Sequence, residues 1–564
     1  MKTKILIIIG MFCCGVMLYN CSDEFVDTKP IVNATEESFY SSMIGADMAT
    51  TVCYSNFCME KLWDLCIMMT LGSLSSDEAE AGAGGKTNVV EFQHVDQLIH
   101  TPQEANVFEW TWGYLYRTIG YCNVAIEKLP DISKETDPNF DADLISKRLG
   151  EVRFLRALNY FVLAQIYGGV PLVDHVLTPS EYKMGRNEIV EIYDLIKTDL
   201  RIAINSLPER SVWGPENIGR ASKGAAKALM AKVFLYESSY AKNYPGDERF
   251  TGLTQQWDSA LYWAEQVINS GEYKLVGIDG ERFDTWRSPE TGGYQWIFMV
   301  DGNNSLEGVF EIQNVQDGRG WFDTRGTALC RWCAPSKVRE INNPTEDGMD
   351  FGWGWWCPSD FLDSSYEPGD PRKAATILTE DDTILCNFDS DGGVAWRHPN
   401  YKVLNDKEGI NRGTRKYEPS YEEYWQNSQT WQDGPIDVKL IRYADVVLWA
   451  AEAAFELNNN GKALQYINWV RTRARMSGNS GIPADLTGAV THDQIVQERL
   501  IELACEGHRF FDLIRWNLGP VYLNHIMMDG KTHVVYEPGK HEFFPIPDKE
   551  IALSGNKLKQ YSGW

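Results

Sequence analysis

The stretch Ile441-Arg-Tyr-Ala-Asp-Val-Val-Leu-Trp-Ala-Ala-Glu-Ala-Ala-Phe-Glu-Leu457, then Asn458-Asn459-Asn460-Gly461, then Lys462-Ala-Leu-Gln-Tyr-Ile-Asn-Trp-Val-Arg-Thr-Arg-Ala474, decides the fold class. Two helix-length segments rich in Ala and apolar residues flank a turn of Asn and Gly, the residues that best tolerate turn backbone. Ala444, Ala451, Ala454 and Ala463 are small enough to let the two helices approach closely.

The same signature recurs upstream. Ile189, Ile192, Tyr193, Ile196, Leu200 and Ile204 repeat at helical spacing, and Pro208 stops the run. A second helix is predicted from Asp143 to Tyr167, closed by Gly168-Gly169 with Pro171 beyond. Ala-rich runs predict two more, Ser222 to Tyr240 and Trp257 to Asn269. A helix pair of about 35 residues is close to the 34-residue tetratricopeptide unit. The expected fold is therefore mainly α, a tetratricopeptide-like helical repeat scaffold. Residues 21–272 form its N-terminal part, with an early loop region at Gly72 to Asn88, and residues 436–564 its C-terminal part.

Between 273 and 435 the periodicity stops. Thr291-Gly292-Gly293, Asp301-Gly302-Asn303, Asn343-Pro344, Pro368-Gly369-Asp370-Pro371 and Asp391-Gly392-Gly393 are turn signals. Long irregular segments inside a compact protein are usually functional, so this insertion is the expected carrier of a ligand site.

The chain has 564 residues and a formal net charge of −26. That charge argues against nucleic acid, which needs a basic surface, and against purely electrostatic docking on an anionic membrane. The N-terminus reads as an address instead. Lys2 and Lys4 precede the apolar run Ile5 to Leu18, a secretory signal pattern over residues 1–20. An ordinary cleaved signal or a buried N-terminal helix is the alternative. Leu18-Tyr19-Asn20-Cys21 resembles a bacterial lipoprotein box, with Asn20 where a small residue is usual, so Cys21 is the expected lipidation site and the membrane contact. Scattered cysteines do not suggest a disulfide framework. Cys330-x-x-Cys333 lacks a second ligand pair, so a local disulfide or two free thiols is expected, with no metal and no cofactor.

Five segments carry a family resemblance. Glu151-Val-Arg-Phe-Leu-Arg-Ala-Leu-Asn-Tyr160 leads to Ile166-Tyr-Gly-Gly-Val-Pro-Leu172, and Gly219-Arg-Ala-Ser-Lys-Gly-Ala-Ala-Lys-Ala-Leu229 follows. Further on are the 441–473 pair, Glu498-Arg-Leu-Ile-Glu-Leu503 through Glu506-Gly-His-Arg-Phe-Phe-Asp-Leu513 to Arg515-Trp516, and Phe544-Pro-Ile-Pro547. Together, and in this order, they resemble the SusD/RagB family of outer-membrane nutrient-binding lipoproteins. Ser22-Asp23-Glu24 also resembles the acidic tether of Bacteroidetes surface lipoproteins. The resemblance implies a lipid-anchored, surface-exposed outer-membrane protein that captures an oligo- or polysaccharide and delivers it to a SusC-like TonB-dependent transporter. A protein-interaction scaffold and a glycoside hydrolase are the alternatives.

Glu498, Arg499, Glu502, Glu506, His508, Arg509, Asp512 and Arg515 superficially suggest acid–base machinery. On one amphipathic helix they read better as salt bridges at i+3 and i+4, Glu502–Glu506–Arg509 and His508–Asp512. No G-x-S-x-G, H-E-x-x-H or Walker loop occurs, so no catalytic residue is assigned.

Sugars present flat C–H faces ringed by hydroxyls, which suit an aromatic platform with polar groups at its edge. Seven of the 20 Trp fall in residues 286–356. Of these, Trp286, Trp321, Trp332, Trp355 and Trp356 are the candidate ligand contacts. Trp353, in a turn before Pro358-Ser359-Asp360, and Trp296, in an apolar strand-like run to Val300, are expected to be structural. Polar candidates are Asp77 and Asn88 in the early loop and Asp301 and Asn303 in the later one. Trp110 and Trp112 are expected in a helix core.

Overall fold

The computed structural model describes residues 39–58, 62–82, 89–285, 287–315, 325–335, 337–340, 349–350, 352–380, 382–385, 399–403, 412–418 and 434–564. The signal segment, Cys21, Asn88, Trp286 and Trp321 lie outside the described residues.

The architecture is mainly helical and tetratricopeptide-like. Its principal helices are α1 (Met43–Cys58), α2 (Val90–Asp96), α3 (Trp110–Lys128), α4 (Ala142–Tyr167), α5 (Ile189–Ser206), α6 (Lys223–Asn243) and α7 (Trp257–Ile268). After the irregular region come α8 (Asp360–Ser365), α9 (Tyr443–Glu456), α10 (Asn460–Met476), α11 (His492–Glu502) and α12 (Arg509–Arg515). A π-helical segment, Leu62–Leu74, precedes the early loop. From α3 to α7 each helix packs on the next, and α9 closes the series by packing on both α7 and α10.

Helix boundaries follow local chemistry. The Asp141 carboxylate accepts the N–H groups of Asp143 and Leu144 to cap α4, and Ser222 caps α6 through Ala225 N–H. Gly168, at φ +71°, ends α4 where a side chain would meet Tyr561 and Phe543. The α9–α10 turn uses Asn458 at φ +57° and an Asn459 side chain that accepts from Lys462 N–H. Ile441 and Arg442, placed in a helix by the sequence pattern, belong instead to a strand, β2 (Val438–Arg442). It pairs antiparallel with β1 (Gly308–Ile312), so Arg442 lies opposite Gly308. Both strands are buried throughout, which removes the alternation that marks a strand in sequence. The run Trp296 to Val300 is not a strand either. It leaves a one-turn helix, Gly293–Trp296, and enters a 3₁₀ turn at Val300–Gly302.

The charged cluster of the C-terminal region is not one helix. Cys505 and Gly507 adopt φ +57° and +78°, and this turn separates α11 from α12. A side chain at 507 would sit 2.6 Å from the Met68 Cα, so only glycine lets the turn pack against the π-helical segment. The break separates Glu502 from Glu506 and Arg509, and most of the charges reach across the molecule, while Arg515 keeps a local i+3 bridge to Asp512 at 2.9 Å. Glu502 is fully buried and accepts from Arg372 (3.0 Å), Arg442 (2.8 Å) and Arg473. Glu506 pairs with Arg442 and Lys416, each at 2.6 Å, while Asp512 is held by Arg499 and Arg515. Burial raises the Glu502 carboxyl, but Arg473, Arg442 and Arg372 outweigh it and hold it below its ordinary range. The network ties the irregular region, through Arg372 and Lys416, to the helical scaffold. Removing one partner of such a set costs about 3–5 kcal/mol. Glu151 works similarly, bound by Tyr54 (2.7 Å), Arg148 (2.6 Å) and Arg220 (3.0 Å), while Arg153 and Arg156 clamp Asp199.

Among the described residues seven cysteines are buried, Cys330 and Cys333 among them. Trp112 is core, whereas Trp110 is 44% exposed on the opposite face of α3.

Candidate functional site: an aromatic ledge at Trp353 and Trp355

The ledge is built by backbone. Residues 331–335 and 352–355 run together through Gly352 N–H to Pro335 O (2.7 Å), Trp353 N–H to Arg331 O (2.9 Å) and Trp355 N–H to Trp332 O (2.9 Å). Gly352 permits this approach, since a Cβ there would lie 2.1 Å from Ala334 O. Three indoles are thereby gathered. Trp332 and Trp355 lie nearly parallel, 6.2 Å apart at 14°, and Trp353 sits 4.4 Å from Trp355 at 47°. Phe92 of α2 meets Trp355 edge-on at 5.6 Å, and the Arg331 guanidinium lies 6.0 Å from the Trp353 ring.

Exposure divides these candidates. Trp332 and Trp356 are completely buried, the latter stacked on Tyr417 at 6.0 Å. Trp353 and Trp355 are half-buried, so they carry the indole surface of this group that solvent can reach. The Trp353 turn also leads into a helix as its sequence suggests, with Ser359 capping α8 through Leu362 N–H. Trp296, half-buried, stacks on Phe283 at 4.2 Å and 14°.

The early loop is bonded to the segment that follows the ledge. Ala79 and Glu80 pair antiparallel with Pro358 and Cys357, and the Ser359 hydroxyl donates to Asp77 O at 2.6 Å. Asp77, a candidate ligand contact, is 5% exposed, and both its oxygens are occupied by Arg509 at 2.7 Å. Its position is structural. Glu78 accepts from the Ser73 hydroxyl and from Cys505 N–H (3.3 Å), and burial pushes its carboxyl up to about 7. Glu80 accepts Met528 N–H at 2.8 Å and is likewise raised by burial to about 7. Asp96 is 1% exposed and accepts Ala81 N–H at 2.8 Å. These carboxylates face inward and cannot flank a solvent-borne ligand, as two-carboxylate glycoside chemistry requires. Nearby Asp360 is exposed and paired with Arg412 at 2.7 Å.

The later-loop candidates serve elsewhere. Asn303 pins the end of β2, donating to Pro435 O (2.8 Å) and accepting Asp437 N–H (2.9 Å). Asp301 is exposed in the Val300–Gly302 turn. Of the rings in the ledge, Trp332 and Trp355 are among the sequence candidates, whereas the sequence reading makes Trp353 structural and does not single out Phe92. The only sequence signal for Phe92 is its spacing with Val95 in a short amphipathic run. No group of three or more His, Cys, Asp or Glu among the described residues is arranged to hold a metal ion.

Two family models match the chain. One, described as the SusD family, covers residues 357–564, and the other, described as starch-binding and associating with the outer membrane, covers residues 63–235. A SusD-like protein of Bacteroides ovatus is 25% identical over 92% of this chain and 83% of its own length. The starch-binding protein SusD of Bacteroides thetaiotaomicron is 26% identical over 84% of this chain and 82% of its own. Among solved structures, a laminarin-binding SusD-like protein superposes with a TM-score of 0.69 at 24% identity, covering 93% of this chain and all of that one. With residues 63–235 and 357–564 matched in order by two models of this family, and SusD-like relatives aligned over most of the chain, this protein is a member of the SusD-like family.

Proposed function

We propose that the protein is a cell-surface glycan-binding lipoprotein, anchored through Cys21, that captures an oligo- or polysaccharide and delivers it to a SusC-like TonB-dependent transporter. The observation that carries this reading is the pair of half-exposed indoles, Trp353 and Trp355, held at an angle by backbone pairing beside the early loop. Such a surface stacks on the apolar face of a sugar while losing little side-chain entropy. The relatives named for starch and laminarin binding support a neutral glucan as the first ligand class to try. Binding rather than hydrolysis is favoured because the carboxylates Asp77, Glu78, Glu80 and Asp96 are buried.

Affinity electrophoresis of the protein lacking residues 1–21, in gels containing starch, laminarin and a broad panel of other glycans, tests the capture step. Retarded migration that a Trp353→Ala/Trp355→Ala variant loses supports the reading. Unretarded migration across the panel overturns it. Co-purification of the full chain with a TonB-dependent transporter from outer membranes tests delivery.

A further inference from the structure

Two buried carboxyls beside the early loop have no cation of their own. Asp96 of α2 is 1% exposed. Its Oδ2 accepts Ala81 N–H at 2.8 Å, while its Oδ1 is enclosed and has no hydrogen-bond partner among the described residues. Glu80 is 3% exposed, and both its oxygens accept the same donor, Met528 N–H, at 2.8 and 3.0 Å. Among the described residues neither carboxyl is ion-paired.

The charges that face them do not neutralise them. Around Glu80 are Asp360 and Asp529, which disfavour its ionisation, and Arg412, whose guanidinium is committed to Asp360 at 2.7 Å. Glu80 in turn faces Asp96, and the buried Cys357 thiol faces both. The other charges of α2, Glu91 and His94, are held by Asn106 (3.1 Å) and Glu104 (2.5 Å). Burial is the leading cause that raises each carboxyl, and Glu80 adds to the effect on Asp96.

Both groups hold elements that position the ledge. Glu80 lies in the strand segment paired with Cys357. Ala81, bonded to Asp96, precedes Gly82, where a Cβ would lie 2.6 Å from Gly354 O. Helix α2 carries Asp96 and, one turn earlier, Phe92, which meets Trp355 edge-on at 5.6 Å. An ionised carboxyl enclosed without a cation is costly, and moving it into water relieves the cost. For Glu80 and Asp96 that movement breaks the bonds to Met528 and Ala81 and loosens the loop and helix that flank Gly354 and Trp355.

We propose that protons on Glu80 and Asp96 latch the early loop and α2 against the Trp353–Trp355 ledge, so that glycan capture is strongest in mildly acidic medium and weakens as pH rises past neutrality. The inference rests on the ledge as the glycan-binding surface. Its sign follows from linkage: these carboxyls keep their protons to higher pH when enclosed than when in water, so the latch is complete in acid and is released as pH rises.

Two measurements on the protein lacking residues 1–21 test this, each on the parent and on Glu80→Gln/Asp96→Asn. The amides accept the same N–H donors and carry no charge at any pH. Titration calorimetry with laminarin and with soluble starch is expected to show the parent binding roughly tenfold more weakly at about pH 8.5 than at about pH 6, and the double variant changing by less than about threefold. Hydrogen exchange followed by mass spectrometry, corrected for the intrinsic pH dependence of exchange, needs no glycan. The segments around Ala81 and Met528 should lose protection in the parent over the same range and keep it in the variant. Melting curves identify a variant that fails to fold, and the parent's exchange and affinity profiles then decide. A pH-independent parent in both measurements, or a folded variant with the parent's full dependence, overturns the proposal. Absence of binding to either glycan at every pH, with the exchange transition present, would count against the ledge as a glycan site while supporting the latch.

Discussion

Arg509 grips Asp77 across 432 residues of sequence, with Nε to Oδ1 and Nη2 to Oδ2 both at 2.7 Å and both side chains nearly inaccessible. This two-pronged ion pair joins α12 to the early loop, and the loop in turn is paired with Cys357 and Pro358 just beyond the ledge. The position of the ledge therefore depends on a contact between the early loop and the C-terminal helical part.

Asp77→Ala strands a buried guanidinium. It is expected to cost about 3–5 kcal/mol, and Arg509→Ala a similar amount, whereas the double variant should lose clearly less than the sum. Urea denaturation of the four proteins measures the coupling, and strict additivity would show the pair to be energetically idle.

The neighbouring tryptophans Trp355 and Trp356 should respond oppositely to truncation. Trp356→Ala empties a fully buried site against Tyr417 and should cost about 3–5 kcal/mol in stability. Trp355→Ala, at a half-buried position, should cost less stability but weaken glycan retardation roughly tenfold. Thermal melts and affinity gels run side by side distinguish the two effects. Equal retardation of the Trp355→Ala variant and the parent would remove Trp355 from the binding surface.

Glu78 gives a pH signature of defined sign. Burial raises its carboxyl to about 7 in the folded protein, against about 4.3 in an unfolded chain. Between those values the folded state keeps a proton that the unfolded state releases. Its contribution to stability is therefore full below the unfolded pKa and is lost as pH rises through 7. Comparing the parent with Glu78→Gln, the stability difference should move in favour of the variant by on the order of 3 kcal/mol between about pH 4 and about pH 8. Denaturant titrations across that range supply the slope, and a pH-independent difference would contradict the assignment.

Gly82 tests the link between the early loop and the ledge without touching a ligand contact. A Cβ there would lie 2.3 Å from Cys357 Sγ and 2.6 Å from Gly354 O, between the two Trp residues. Gly82→Ala should displace the Trp353-Gly354-Trp355 segment, lowering both the melting temperature and glycan retardation. Quenching of tryptophan fluorescence by acrylamide reports the displacement directly, and a variant indistinguishable from the parent in all three measurements would show that the loop yields instead.

Sequence alone determined the helical scaffold. Periodic apolar residues, Ala-rich contact faces and Gly or Pro stops are local signals, so α4, α5, α6, α7, α9 and α10 were legible to within a few residues. The concentration of Trp in an aperiodic stretch also pointed to the region of the ledge. Tertiary structure alone decided which of those rings meet solvent and which charges meet each other. Trp355 and Trp356 are adjacent in sequence, yet one is half-exposed and the other is core, because residues 352–355 pair with 331–335. Asp77 stood as a candidate contact until Arg509 was found on it, and the α11–α12 charges looked local until the turn at Cys505 and Gly507 sent them to Asp77, Arg372 and Arg442. Helical periodicity is carried by neighbours in the chain, whereas burial and ion pairing are set by residues hundreds of positions away, and only folding brings those together.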